Sequence, residues 1–312
     1  MGKVLKLVVL LVAAVAVVYG VFDFFFPQRF ADAAMRAERS AAGLQRKETD
    51  IPGLHLVYLE GGQGSPLLLL HGFGADKDNW TRVARYLTPH FHVYAPDLPG
   101  YGESSLPAPA DSDIAHQVGY VHEFAAALGL QHFDLGGNSM GGWISGAYAA
   151  AHPEQVDSLW LLAPAGVSTA QDSDLIKIVK SGGHVPLLAR TPAEFQQLLD
   201  FIFVHRPFVP HAVISVLAQH AAEHYDFNQK VFAVLTKDAP LEPQLKNLPT
   251  PTLIVWGDHD RALNDSGAEV LHGLLPNSQV IIMPDMGHVP MVEAPAQTAA
   301  DYIKFRDSLA KH

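Results

Sequence analysis

The chain has no cysteine among its 312 residues, which excludes disulfide cross-links and cysteine-based metal or redox chemistry. Its net charge is −11, and no run of lysine and arginine forms the basic patch that binds nucleic acid, so we expect no nucleic-acid partner. No glycine-rich loop of the phosphate-binding type is present, and we predict no cofactor. About 260 residues follow an apolar amino-terminal segment, which is enough for one large domain with a full core.

A serine between two glycines, in the pentapeptide Gly-Asn-Ser-Met-Gly at 137–141, follows the strand-like run His132 to Leu135 and precedes the helix-forming run Gly142 to Ala151. A strand-to-helix turn of this composition is the nucleophile elbow. A serine hydroxyl is a poor nucleophile unless such a turn exposes it to a base. The pattern therefore makes Ser139 the candidate nucleophile.

A base and an acid are expected later in the chain, in the order acid and then histidine. The strand-like run Thr252 to Gly257 ends at a turn with Asp258 and Asp260, and the run Val280 to Pro284 leads to His288. Because parallel strands present their carboxyl ends at one edge of a sheet, these groups would lie beside the serine. The histidine would take and return the serine proton while the aspartate orients the imidazole.

The carboxylates of this region have an alternative role that is purely structural. Asp258, Asp260, Asp265 and Asp285 could each form a turn or cap a helix. The spacing of residues does not by itself choose between Asp258 and Asp260 as the acid.

An oxyanion hole is the remaining requirement of such a site. The segment His71 to Gly74 follows the apolar strand Leu67 to Leu70, where its first donor should lie. We predict the backbone amides of Phe73 and Met140 as the donors. Loss of one such donor costs about 3 to 4 kcal/mol of transition-state stabilisation.

These segments together resemble the α/β-hydrolase superfamily over about residues 50 to 310: His71 to Gly74, Asp97 to Ser104, Gly137 to Gly142, Trp256 to Asp260, and Gly287 with His288. Three shorter segments are similar to membrane-anchored monoacylglycerol lipases and related bacterial lipases: Lys77 to Trp80, Ala163 to Gly166, and Ser266 to Ala268. The apolar amino terminus and the length resemble PlaF-type bacterial phospholipases A. The resemblance implies the α/β-hydrolase fold and Asp260 as the acid, because the family's acid lies three residues after Trp-Gly.

The predicted organisation follows from where strand-like and helical runs alternate. They alternate from Leu54 to Gly166 and resume at Thr252, which is typical of a mostly parallel sheet with helices on both faces. We predict a hydrolase core at 51–166 and 249–312, interrupted by an apolar helical cap at 167–248. A juxtamembrane helix or linker is predicted over 28–50, where it connects the amino terminus to the core or acts only as a spacer.

A competing motif occurs at His220 to His224, which fits the H-x-x-E-H pattern of inverted zinc peptidases. Histidines four residues apart share a helix face, but zinc catalysis needs a third protein ligand, and the sequence singles none out. We therefore predict no metal site and interpret the motif as a stripe on a helix.

The amino terminus contains an apolar run, Leu7 to Phe22, without a charge. At 1.5 Å per residue such a helix crosses a hydrocarbon core of about 30 Å. We predict a transmembrane anchor over residues 1–27, with Tyr19 and Phe22 among its interfacial aromatic residues. A cleaved signal peptide with a site at Ala14 to Ala16 is the alternative, but the run continues well past that site.

The charges around this run indicate its orientation. Lys3 and Lys6 favour a cytoplasmic amino terminus, while three later arginines oppose it: Arg29, Arg36 and Arg39. We expect a single-pass protein of the inner, or cell, membrane with its main domain on the periplasmic or extracytoplasmic side. Small residues in this apolar run allow two such helices to pack together, so the sequence does not exclude a homodimer.

These patterns favour a membrane-anchored serine carboxylic-ester hydrolase that releases fatty acid from glycerolipids through an acyl-Ser139 intermediate. The predicted partners are a lipid substrate and the bilayer itself. The alternatives are hydrolysis of a carbon–carbon bond in a ring-cleavage product, hydrolysis of small soluble esters, and a non-catalytic binding protein on the same scaffold. The apolar cap and anchor disfavour the first alternative.

Overall fold

The computed structural model describes residues 2–309, and within the first helix it leaves out the side chains of residues 3, 4, 12, 14–19 and 22. The residues of the alternative cleavage site, Ala14 to Ala16, and the interfacial residues Tyr19 and Phe22 therefore lie outside the described side chains.

Within residues 2–309 one sheet is formed by eight strands: β1 (Leu44–Ile51), β2 (Leu54–Gly62), β3 (Ser65–Leu70), β4 (Phe91–Pro96), β5 (Phe133–Asn138), β6 (Val156–Leu162), β7 (Thr252–Gly257) and β8 (Ser278–Met283). Their order across the sheet is β1-β2-β4-β3-β5-β6-β7-β8. β2 pairs antiparallel with β1 and β4, and the other neighbours pair in parallel. The predicted mostly parallel sheet is confirmed.

The helices of the described chain are α1 (Gly2–Phe25), α2 (Pro27–Ala41), α3 (Thr81–Leu87), α4 (Ile114–Ala127), α5 (Met140–Ala151), α6 (Asp174–Lys180), α7 (Pro192–Ile202), α8 (His211–Glu223), α9 (Tyr225–Leu235), α10 (Glu242–Leu245), α11 (Ser266–Leu274), α12 (Pro290–Glu293) and α13 (Pro295–Leu309). Short 3-10 turns occur at Lys77–Trp80 and Pro109–Asp111.

The central strands β5 and β7 are buried along their whole length because helices cover both faces of the sheet. In β3, Leu68 and Leu70 pack on the side of α4 and α5. Leu67 and Leu69 pack on the other side, in the cluster that includes residues of α3 and α13. This two-sided burial fixes the sheet and hence the positions of the loops at its carboxyl edge.

The predicted linker over 28–50 is wrong in its second half. Its first half is helical, as α2, but Leu44–Ile51 forms strand β1 and pairs with β2 over its whole length. Of the eight residues of β1, the two ends are buried, and most of the residues between them are exposed and polar. In such an edge strand, apolar and polar residues do not alternate, so the sequence shows no strand pattern. The hydrolase core therefore begins at β1, earlier than the sequence indicates.

The first helix, α1, extends over Gly2–Phe25. Among the residues that the structure describes, no helix is both long enough and apolar enough to cross a membrane. Near the end of α1, the carboxylate of Asp23 accepts a hydrogen bond of 2.8 Å from the amide of Ala212 at the start of α8.

Helices α6 to α10 occupy the interval between β6 and β7, where the sequence predicts the cap. α8 also packs against α2 through Ala31, Val213 and Val216. α2 is therefore more than a spacer, since it is built into the side of the cap that faces the amino-terminal helix.

Candidate active site

Ser139 lies at the sharp turn between β5 and α5, with φ +56° and ψ −119°. This backbone conformation is uncommon for a residue with a side chain and costs about 1 to 3 kcal/mol, so the surrounding contacts must impose it. A Cβ at Gly137 would lie 2.2 Å from the carbonyl oxygen of Gly141, and one at Gly141 would lie 2.1 Å from that of Leu70. The two glycines are therefore required by close approach of the backbones.

His288 and Asp260 meet at the carboxyl edge of the sheet. The Nδ1 atom of His288 lies 2.7 Å from Oδ2 of Asp260, and both side chains are almost fully buried. The other carboxylate oxygen of Asp260 accepts hydrogen bonds from the amides of Ala262 and Leu263, at 2.8 and 2.9 Å. These contacts hold the carboxylate in one orientation, with one oxygen directed to the imidazole.

Asp258 has a different partner. Its Oδ1 lies 2.6 Å from Nδ1 of His259, and its side chain is one-third exposed. Asp265 precedes α11, and Asp285 has a positive φ of 52° in the turn before His288. Of the four carboxylates considered from the sequence, Asp260 is the one that contacts His288.

Ser139 and His288 both line one cavity of about 290 Å³. Phe73 lies on the same wall, in the loop that follows β3, and Gly72 is so close that a Cβ there would lie 3.2 Å from Cβ of Ser139. Met140 is the first residue of α5, and the amides of a first helical turn have no partner within the helix. Ser139, His288 and Phe73 thus line a single cavity, and Met140 directly follows the predicted nucleophile in the chain.

The orientation of the Phe73 amide follows from the buried residue His71. Nδ1 of His71 donates to the carbonyl of Gly72 at 2.8 Å, and its Nε2 accepts from the amide of Leu98 at 2.9 Å. Burial lowers the pKa of His71, which favours this neutral form. Because the Gly72 carbonyl and the Phe73 amide belong to one trans peptide, fixing the carbonyl also fixes the N–H, which points the opposite way.

The family model described as the alpha/beta hydrolase fold matches this chain over residues 65–213 and 214–295. The chain belongs to the α/β-hydrolase family. The hydrolase is also similar to named relatives over most of its length. Lipase 3 of Moraxella sp. (strain TA144) is 40% identical over 281 residues, which are 88% of each chain. A monoacylglycerol lipase of Homo sapiens is 32% identical over 259 residues, which are 80% of this chain and 77% of the relative.

Among solved structures, the hydrolase resembles the crystal structure of a membrane phospholipase A described as a bacterial virulence factor. The two share 45% identity and superpose with a TM-score of 0.90, over 100% of each chain. Together with the family, these similarities make this hydrolase a carboxylic-ester hydrolase of lipase type.

The walls of the hydrolase cavity differ in chemistry. Side chains of α7, α8 and the loop between them make one part apolar: Leu198, Leu199, Ile202, Pro207, Val209, Val213 and Leu217. α2 contributes Met35 and Glu38. A polar part is formed at the end of α8 and the start of α9 by His220, His224, Tyr225 and Asn228. The cavity can therefore hold an acyl chain beside a polar group.

The loops around the cavity are held by a charge cluster in which Lys77 and Asp97 are buried. Lys77 Nζ contacts Asp97 at 2.7 Å and Glu103 at 2.8 Å. Burial works to lower the pKa of Lys77, but the facing carboxylates, Asp97 first, raise it above its ordinary value. Burial likewise opposes ionisation of Glu103, yet its bonds to Arg46 and Lys77 lower its pKa to about 2. Asp97 also accepts hydrogen bonds from the amides of Lys77 and Glu103, and it thus shapes its loop.

Two further residues position the site and were not recognised in the sequence. Asn138 donates from Nδ2 to the carbonyls of Leu162 and His288, both at 3.0 Å, and so ties the elbow to the histidine loop. Glu293 accepts from the amide of Gly287 at 3.1 Å and from the cap amide of His205 at 2.6 Å. Neither residue has a motif of its own, because each acts through contacts with distant backbone.

The H-x-x-E-H segment ends α8 and contributes His220 and His224 to the cavity wall. Nδ1 of His224 donates to the carbonyl of His220 at 3.0 Å, while Glu223 accepts from Gln219 at 2.8 Å. Over the described residues, no group of three histidine, aspartate or glutamate side chains is placed to hold a metal ion.

Proposed function

We propose that this hydrolase releases fatty acid from glycerolipids at a membrane, through an acyl intermediate on Ser139. The observation that carries the proposal is the single cavity, which combines Ser139 and the bonded pair His288 and Asp260 with an apolar wall from the cap. That combination suits an ester whose acyl part is a long hydrocarbon chain.

In the first half of the reaction, Ser139 Oγ attacks the ester carbonyl while Nε2 of His288 takes its proton. Asp260 keeps Nδ1 of the imidazole protonated and stabilises the cation that forms. The amides of Phe73 and Met140 stabilise the oxyanion of the tetrahedral intermediate. His288 then gives its proton to the leaving alcohol, and the acyl group remains on Ser139.

In the second half, water replaces the alcohol. His288 takes a proton from the water as it attacks the acyl carbonyl, the oxyanion forms again at the same two amides, and Ser139 recovers its proton when the fatty acid leaves. The neutral His71 supports this scheme by holding the Phe73 amide in place before substrate binds.

The membrane part of the proposal rests on α1 and α2. Several apolar side chains at the amino terminus are more than half exposed: Leu7, Leu10, Leu11, Phe24 and Phe25. A bilayer would remove that surface from water. α2 follows directly and lines the cavity through Met35, so a lipid leaving the bilayer beside α1 is already close to the site.

A direct path from the bilayer has a large energetic advantage. Each CH₂ group moved into water costs about 0.8 kcal/mol, so a chain of 14 methylenes would cost about 11 kcal/mol. We propose that α1 anchors the hydrolase as a single span of the inner membrane. The lysines that precede the apolar run, Lys3 and Lys6, favour a catalytic domain on the periplasmic or extracytoplasmic side.

The test is fatty-acid release by the full-length protein and its Ser139→Ala variant, from vesicles of phosphatidylcholine containing monoacylglycerol, lysophospholipid or diacyl phospholipid. A chelator is present throughout. We expect release that requires Ser139 and survives chelation. Protease digestion of intact spheroplasts, compared with lysed ones, should remove the catalytic domain from outside.

Activity on a soluble short-chain ester without release from any vesicle would contradict the glycerolipid assignment and favour a small-ester or ring-cleavage substrate. Full release by Ser139→Ala would contradict the acyl-Ser139 intermediate.

A further inference from the structure

Asn228 of α9 carries a buried amide whose pairing within the protein is incomplete. The residue is 8% exposed and lies on the cavity wall. Its Oδ1 has no hydrogen-bond partner among the described residues. A buried polar atom left without a partner costs about 1 to 3 kcal/mol, so native proteins keep few of them. Because Asn228 lies on the cavity wall, a bound ligand can supply that partner.

The position of Asn228 on α9 can be related to the oxyanion loop through the next turn of the helix. Residues four apart share a face of a helix, so Asn228 lies between His224 and Phe232 on α9 and its preceding turn. The ring of Phe232 contacts that of Phe73 in the oxyanion loop, with centroids 5.6 Å apart. The Asn228 amide is therefore one helical turn from the residue that touches the oxyanion loop.

Elsewhere on the wall, the charged residues Glu38, Asp78 and Arg82 are in ion pairs. Asp78 is paired with Arg39, and Glu38 with Arg82 at 3.0 Å. These ion pairs neutralise the charges on the part of the wall formed by α2 and the 3-10 turn Lys77–Trp80. The side-chain amide of Asn228, by contrast, can still form a hydrogen bond with a neutral donor or acceptor.

We propose that Asn228 binds a free hydroxyl group on the alcohol part of the substrate, next to the ester that Ser139 attacks. The inference rests on the proposed function and narrows the range of substrates that this function includes. A hydroxyl both donates and accepts, which matches the two ends of a carboxamide. The site would therefore select glycerolipids that keep a free glycerol hydroxyl, such as monoacylglycerols.

The composition of this wall also disfavours an anionic group at the same place. Among the described cavity-lining residues of α8 and α9 there is no lysine or arginine to pair with a phosphate. The acyl chain has its own apolar surface on α7 and α8. The hydroxyl-bearing alcohol is the part of a glycerolipid that fits the polar wall.

The experiment compares two laurate esters in Triton X-100 micelles, 1-lauroylglycerol and propyl laurate. They share the acyl chain and the three-carbon alcohol, and they differ in the two hydroxyls. For the wild-type protein we expect kcat/KM for 1-lauroylglycerol to exceed that for propyl laurate at least about tenfold, the effect of one well-made hydrogen bond to a buried group.

The variant Asn228→Leu should bring the ratio of the two kcat/KM values close to one, and Asn228→Ala, which adds no bulk, should do the same. The matched control is Gln229→Leu, on the exposed side of the same helix, which should keep the wild-type ratio. A melting curve of each variant reports whether it folds.

A wild-type ratio near one would overturn the inference, whatever the variants do, and would leave the lipase function standing. The same conclusion follows if a folded Asn228 variant keeps the wild-type ratio. Absence of Ser139-dependent hydrolysis of both esters would instead overturn the proposed function, and this inference with it.

Discussion

Arg39 of α2 forms a two-point ion pair with Asp78, in the 3-10 turn that follows the oxyanion loop. Nε and Nη2 of Arg39 lie 2.6 and 2.5 Å from the two carboxylate oxygens, and the side chains are 11% and 19% exposed. Asp78 is linked in turn to Asp76 through its amide, at 2.8 Å. The helix next to the amino-terminal segment is thereby fastened to the loop that carries Phe73.

The first prediction concerns this pair. Arg39→Ala should lower the free energy of unfolding by about 2 kcal/mol, because it leaves the mostly buried Asp78 without its partner. It should also lower kcat on a soluble ester, since the oxyanion loop loses support. Urea unfolding and steady-state kinetics measure the two effects. Arg36→Ala, at an exposed position of the same helix, is the control, and equal effects of the two substitutions would refute the coupling.

The second prediction separates the two aspartates after β7. Asp260→Asn should lower kcat roughly 10³-fold or more, because the amide cannot orient and stabilise the His288 imidazolium as a carboxylate does. Asp258→Asn removes a contact with the exposed His259, and such surface pairs contribute little. Both variants should unfold with near-native cooperativity. Similar losses of kcat would contradict Asp260 as the acid.

Much of the site could be predicted because its parts lie in short, strongly patterned segments. β7 occurs at the predicted Thr252–Gly257, and α5 follows the elbow as expected. The residues that were missed act across long distances in the chain. Asn138 reaches His288, 150 residues later, and nothing in the local sequence of either residue encodes that contact.

The same reasoning explains why the sequence predicts neither strand β1 nor a role for Asn228. Arg46 in β1 forms an ion pair with Glu103, which lies far along the chain. The polar sequence of β1 does not indicate this contact, because it forms only when the chain folds. Asn228 resembles any polar residue of an amphipathic helix until burial leaves its Oδ1 without a partner. Periodicity predicts which elements form, but not which polar groups they leave unpaired.

The third prediction concerns the pH dependence of stability. Burial, helped by the nearby charges of Asp78 and Asp97, raises the pKa of Asp76 from 3.8 to about 7. Between these values the folded state binds more protons than the unfolded state, so this group's contribution to stability falls as pH rises from 3.8 to about 7 and is lost above that. Asp76→Asn, which still accepts from the Asp78 amide, should remove that fall. Urea unfolding at pH 5 and pH 8 tests it: the variant should gain stability relative to wild type at pH 8, and an equal difference at both values would contradict the assignment.

The fourth prediction uses a matched pair of glycines. A Cβ at Gly137 would lie 2.2 Å from a backbone oxygen, whereas at Gly119, exposed in α4, it would meet nothing within 4 Å. Gly137→Ala should therefore cost about 3 kcal/mol of stability by forcing β5 and α5 apart. Gly119→Ala should add about 0.5 to 1 kcal/mol, because alanine loses less backbone entropy in a helix. Urea unfolding of the two variants measures both values. Wild-type stability of Gly137→Ala would mean that the elbow does not need the close approach of its two backbones.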